Sequence, residues 1–270
     1  MTTSDTLVHA FEDSVLVVAH PDDEILWFGS IAPKVDKIVI CFLNDPIRPK
    51  MAEARRQTLA AHPWRDRMVS LELDETDAFS RANWPLPETT KFGLRIVKAR
   101  QIETAYRICY RRLHSLLAPI IRDARNVFTH NPWGEYGHEE HVLVHRAVGS
   151  LTAEYKKNVW YSNYASNWSQ GLMSLYQEQS GQPTVESDVD AAILEAVAGV
   201  YRAYGAWTWF DEVRWFPNEV FVKGPLCQTE RRAPEAFFPV NMLDLGERPQ
   251  PAPARTSSLL RRTLRRLLGG

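Results

Sequence analysis

The chain has 270 residues, of which 44% are hydrophobic and 24% charged, and its 32 Lys and Arg balance 33 Asp and Glu to a formal net charge of -1. That length can bury a sizeable core, and the balance excludes a protein-wide field that would gather nucleic acid. Cys41, Cys109 and Cys227 form neither a CxxC pair nor an even framework, residues 1–13 lack the apolar core of a secretory leader, and no apolar run would span a bilayer. A cytoplasmic enzyme is the expectation.

In chain order, Val15-Leu16-Val17-Val18 reads as a short strand buried on both faces, as in parallel sheets. It runs into His20-Pro21-Asp22-Asp23-Glu24, where Pro21 stops pairing and leaves an imidazole and three carboxylates at the strand's C-terminal end. Burying so many ionisable groups is costly, and a bound cation would offset the cost. A short helix is predicted from Ile25 toward Pro33, with Glu24 and the two aspartates near its positive end. Residues 37–43 form a second buried strand, and the βαβ order predicts a parallel sheet with right-handed crossovers. Residues 51–61 read as a helix, on which Arg55 and Arg56 are most simply a solvated face, and residues 68–73 as a strand. Trp84, in a Pro-rich loop, lines a pocket or pins the loop. Residues 99–117 make a long amphipathic helix with Ile102, Ala105, Ile108, Cys109, Leu113 and Leu116 toward the core.

Residues 127–129 read as a further strand, and a loop from Pro132 to Gly137 leads to His138-Glu139-Glu140-His141. A helix starting near His138 puts His138 and His141 one turn apart on one face. His20, Asp23 and His141 would then make a three-ligand N/O set with a fourth position for water, the open pattern of a catalytic zinc. The same donors admit Fe2+ or Co2+. His130 is either a supporting group or a structural residue, and His145, deeper in the helix, ranks well below His20 as a ligand.

Residues 158–165 read as one aromatic-rich strand, residues 186–204 as a helix, and residues 219–222 as strand-like. The Trp207-Thr208-Trp209-Phe210 segment reads as core, with stacking on a sugar ring as the minority reading. Pro249, Pro251 and Pro253 make an extended linker. The leucine- and arginine-faced tail that follows would lie on an anionic membrane surface, through residues 255–270, or fold back on the domain.

Ala19-His20-Pro21-Asp22-Asp23-Glu24 together with Tyr136-Gly137-His138-Glu139-Glu140-His141 resembles the signature of the PIG-L/LmbE-like N-deacetylases. These are zinc-dependent amidases that remove acetyl groups from N-acetylglucosamine-type sugars. The first motif matches fully; in the second the family commonly has His-Pro-Asp-His where Glu139 and Glu140 stand here. The resemblance implies Asp22 as general base, Tyr136 near the carbonyl oxygen, and His138 as a cation that stabilises the oxyanion or supplies a proton. Glu140 would raise the His138 pKa, and Arg55 or Arg56 would stand where the family has a substrate-facing basic residue. Pattern and resemblance together imply an α/β, Rossmann-like three-layer sandwich with a mostly parallel central sheet, a C-terminal α+β extension and a short tail helix. Residues 1–246 would be the deacetylase domain and residues 247–270 the linker and tail.

The expected substrate is a small-molecule or lipid-linked N-acetylated sugar, met in the cytoplasm or at the inner face of the membrane. Two rivals stand beside it: a metal-dependent hydrolase of another amide or a phosphoester, and a non-catalytic α/β binding protein with a vestigial site. A dinucleotide-binding protein is disfavoured, because no Gly-rich turn follows the first strand.

Overall fold

The first apolar run forms β1 (Ser14–Val18), buried at every position. Val15 and Val17 face one core, while Leu16 and Val18 pack with Phe28, Phe128 and Trp160 in another. A strand with a core on each face has no polar side, so its sequence does not alternate. The short helix α1 (Asp23–Leu26) follows at once, then β2 (Lys37–Asn44), α2 (Pro49–Ala61) and β3 (Met68–Asp74). This computed structural model describes residues 9–97, 99–176, 182–228 and 239–250. The expected tail helix and membrane-facing segment, within residues 251–270, lie outside the described residues.

A small hairpin, β4 (Thr89–Thr90) and β5 (Gly93–Leu94), leads into α3 (Arg100–Asp123), β6 (Asn126–Thr129), α4 (Glu139–Glu154) and β7 (Asn158–Tyr161). Then come β8 (Tyr164–Ser166), α5 (Gln170–Met173), β9 (Thr184–Asp188), α6 (Ala191–Ala203), β10 (Asn218–Lys223) and β11 (Asn241–Leu243). The central sheet has seven strands in the order β3-β2-β1-β6-β7-β10-β9. The first five run parallel, and β10 lies antiparallel to both β7 and β9. From β1 the chain winds outward to β2 and β3, then returns to β1's other side as β6. The order reverses there, and at such a reversal the strands' carboxyl ends open a crevice. Both motifs sit at that point.

Several sequence expectations are corrected. The long helix does not stop before Pro119: it continues to Asp123, because Ile121 extends the buried stripe of Leu113 and Leu117. Leu117 takes the core position expected of Leu116, which is exposed. Residues 158–165 are two strands rather than one. Ser162 bonds Glu135, and Asn163 donates to the Pro239 carbonyl, so β8 leaves the main sheet and pairs with β11. Residues 186–188 belong to β9, and the helix begins only after Asp190, whose side chain accepts from the Ala192 and Ile193 amides as an N-cap. The first helix starts at Asp23, two residues before Ile25. Among the described residues no helix is long and apolar enough to cross a membrane.

Candidate metal centre

The tip of β1 is bent hard. Asp22 takes a φ of 91°, a left-handed conformation that costs a non-glycine residue strain and clusters at functional sites. Glu24, fully buried, holds that bend: one oxygen accepts from the Asp22 amide at 3.0 Å, the other from the Tyr201 hydroxyl at 2.7 Å. Asp23 is locked as firmly. Its Oδ2 accepts from the His20 amide at 2.7 Å and its Oδ1 from the Trp27 indole at 2.9 Å. Neighbouring aspartates therefore point to different places.

The second motif is built around an N-cap. His138 precedes α4, and its Nδ1 accepts from the Glu140 amide at 3.1 Å. His141, in the first turn, stacks on His138 with ring centroids 4.9 Å apart. Glu135 sits beneath both β6 and α4: its Oε2 is 2.7 Å from His141 Nδ1 and 2.8 Å from His130 Nδ1. His130 Nε2 accepts from the Ala19 amide at 2.8 Å, so its Nδ1 carries the proton and donates to Glu135. His141 Nδ1–H donates to Glu135 in the same way. That leaves His141 Nε2 with a lone pair, buried and with no hydrogen-bond partner among the described residues, 3.3 Å from Asp23 Oδ1.

Two electron-rich atoms facing each other in a buried place repel unless a proton or a cation lies between them. On the other side of the Asp23 carboxylate, His20 Nδ1 lies 3.5 Å from Oδ2, while His20 Nε2 is engaged by Glu140 at 2.9 Å. His20, Asp23 and His141 thus offer one donor each within 4.8 Å of one another. The set fits a divalent cation, with Glu140 and Glu135 orienting the two imidazoles as carboxylates do behind metal-bound histidines. His130, Glu135 and His141 also lie within that distance. There the two ring nitrogens that face Glu135 carry protons, which leaves no lone pair for a metal between them. A proton competes for His20: burial pulls its pKa down, but Asp23 and Glu140 hold it up, at about 10.

Glu140 does not serve His138 as the resemblance implies. Residues i and i+2 of a helix do not face each other, and the Glu140 arm reaches His20 and, at 2.5 and 2.7 Å, the amide and hydroxyl of Thr76. Burial, with His20 and His141 nearby, pushes the His138 pKa well below its usual value. His138 is therefore a neutral imidazole, not a cation, and its Nε2–H has no hydrogen-bond partner among the described residues. Glu139, standing where the family has proline, is fully buried and accepts from the Ser80, Arg81 and Ala82 amides and the Trp84 indole. It holds the loop that supplies Phe79 to the site's wall, and Trp84 is one of the pins.

A cavity of about 370 Å³ opens above the ligands, with His20, Asp22, Asp23, Tyr136 and His138 at its floor and sides. Asp22 is buried, and burial together with the Asp23 charge beside it pushes its pKa up to about 8 against the opposing hydrogen bond from Thr208. Thr208 clamps Asp22 Oδ2 with its hydroxyl at 2.6 Å and its amide at 3.1 Å. Tyr136 stacks on Trp27 at 5.3 Å and meets Trp209 edge-on at 5.0 Å. Arg55 corrects the solvated-face reading: it is only 2% exposed, lines the cavity, and pairs with Glu75 at 2.6 Å. Arg56 is exposed, as expected. His145 is set apart, its Nδ1 donating to the His130 carbonyl at 3.0 Å.

The sequence reading misses Glu135, although a carboxylate close to a ligating histidine is a signal that could find it. The 207–210 segment, expected mainly in the core, instead gives Thr208, Trp209 and Phe210 to the cavity wall. Trp168 and Arg48 line it too, and no local pattern marks them. Arg248, which follows β11 in the chain, donates to the Gly137 carbonyl at 2.6 Å and lies over the Trp84 ring at 4.5 Å.

Gly137 shows how closely this rim is packed. Its φ is +91°, and a Cβ there would lie 2.7 Å from Arg248 Nη1. Gly137→Ala is expected to cost about 1–2 kcal/mol through the left-handed backbone alone, read as a lower urea midpoint with unchanged slope.

No protein-family model matches the chain, and no curated protein matches it. Among solved structures, the chain is similar to one described as a deacetylase–teicoplanin complex in the biosynthesis pathway of teicoplanin. The two are 13% identical, with a TM-score of 0.49, covering 80% of this chain and 99% of that one.

Proposed function

We propose that the chain is a metal-dependent hydrolase that removes an N-acetyl group from an N-acetylglucosamine-type sugar or sugar conjugate. The observation that carries the metal is the buried lone pair of His141 Nε2 aimed at Asp23, with His20 on the carboxylate's other side. The resemblance of the two motifs supports the acetamide as substrate. The aromatic walls of the cavity suit the apolar face of a sugar ring.

His20, Asp23 and His141 would hold the cation, which when bound acidifies a water and draws charge onto the amide oxygen. Asp22 takes the water's proton. Thr208 keeps its carboxylate turned to its place through the hydroxyl and the amide. His138, neutral, donates a hydrogen bond from Nε2–H to the developing oxyanion, and Tyr136 offers a second donor from the cavity wall. The proton held by Asp22 then passes to the leaving amine.

The test is release of acetate and free amine from N-acetylated sugars supplied free, nucleotide-linked and lipid-linked, with defined metal and with chelator. Chelator-sensitive acetate release is the expected result; release of inorganic phosphate from phosphoesters instead would favour the rival hydrolase. His141→Ala is expected to purify with little metal by elemental analysis, and a full metal complement in that variant would remove His141 from the ligand set.

A further inference from the structure

A second cavity, of about 530 Å³, lies farther along α4, between that helix, Tyr110 of α3 and the ends of β7 and β10. Lys91, Arg146 and Lys157 line it, and among the described residues no Asp or Glu does. The chain as a whole is balanced, so this local excess of positive charge does not follow from composition.

None of the three cations has a carboxylate partner among the described residues. Arg146 donates from Nη2 to the neutral Tyr176 hydroxyl at 3.3 Å, and its Nε is buried with no partner there. The Lys91 ammonium lies over the Phe92 ring at 5.1 Å. Tyr161, 2% exposed, lines the same cavity, and burial keeps its phenol protonated as a donor. Val159, Pro225 and Leu226 add apolar surface, and the neutral His145, Ser150 and Thr152 also line the cavity. Buried or half-buried guanidinium groups are normally paired, and Arg recognises phosphate and carboxylate oxygens through its fork of N–H donors.

We infer that this cavity is a second binding site, for the phosphoryl group of a small phosphorylated compound, with Arg146 and Lys157 on the anion and the apolar walls on its organic part. A phosphomonoester carries about -1.5 to -2 charges near neutral pH, which answers three cations without carboxylate partners among the described residues better than a single carboxylate does. The site is separate from the metal ligands, so this reading stands or falls independently of the deacetylase proposal.

The experiment is calorimetric titration of the full chain, with and without divalent metal, using inorganic phosphate, glucose 6-phosphate and benzoate at matched ionic strength. Saturable phosphate binding that persists without metal is expected, tighter for the phosphomonoester and weakest for benzoate. Arg146→Gln and Lys157→Gln are each expected to weaken it about tenfold or more, while Arg48→Gln, in the metal cavity, leaves it unchanged. Lys157→Gln, near the helix end, keeps the test readable if Arg146→Gln fails to fold. Absence of saturable binding at about 1 mM, binding untouched by both substitutions, or loss in Arg48→Gln alone would overturn the inference.

Discussion

Asp22→Asn is expected to lower turnover by about 10²–10⁴-fold, the range that general-base catalysis supplies, while metal content stays near wild type. Asparagine is the informative replacement. Asp22 sits at a φ of 91°, and asparagine enters the left-handed region more readily than alanine does, so backbone strain is not added to the loss of the base. The amide keeps an oxygen that can accept from Thr208 but cannot take a proton from water. Steady-state acetate release and elemental analysis on the same preparation check it. Unchanged turnover would show that Asp22 is not the base, whatever the metal is doing.

Glu135→Gln is expected to have the largest effect on stability. The Glu135 carboxylate accepts a hydrogen bond from each of two buried imidazoles through one oxygen, and from the Asn131 amide and the Ser162 hydroxyl through the other. Burial alone would raise its pKa, but His130 and His141 more than offset that and hold it at about 2 against a usual 4.5. Because the folded-state pKa is depressed, this stabilisation is complete above the unfolded value of 4.5 and is lost as pH falls through about 2. Losing the charged acceptor of these buried hydrogen bonds costs about 1.5–3 kcal/mol, and a weakened hold on His141 would lower metal affinity about 10–100-fold. Denaturant unfolding at neutral pH and at pH near 3, with a competitive metal titration, reads both effects. A variant as stable as wild type would mean that Glu135 does not brace the two histidines.

Both motifs are legible because each is contiguous and each ends a strand or begins a helix by local rules. The parallel order follows from apolar runs alternating with amphipathic ones. The errors are of another kind. Arg55 reads as solvated because helix periodicity does not say that Glu75, just past the end of β3, pairs with it. Proximity in sequence hands Glu140 to His138, while the helix turns it toward His20, 120 residues away.

By itself the sequence determined the α/β class, the strand tip at which His20 and Asp23 stand, and the helix start that brings His138 and His141 together. Only the tertiary structure decided which nitrogen of His141 keeps a lone pair, which partner Glu140 takes, and that Thr208 closes on Asp22 from 186 residues away. The physical reason is that strand and helix patterns record local backbone and burial preferences. A tautomer or a buried carboxylate's partner is instead set by hydrogen bonds between segments that meet only when the sheet's order reverses beside β1.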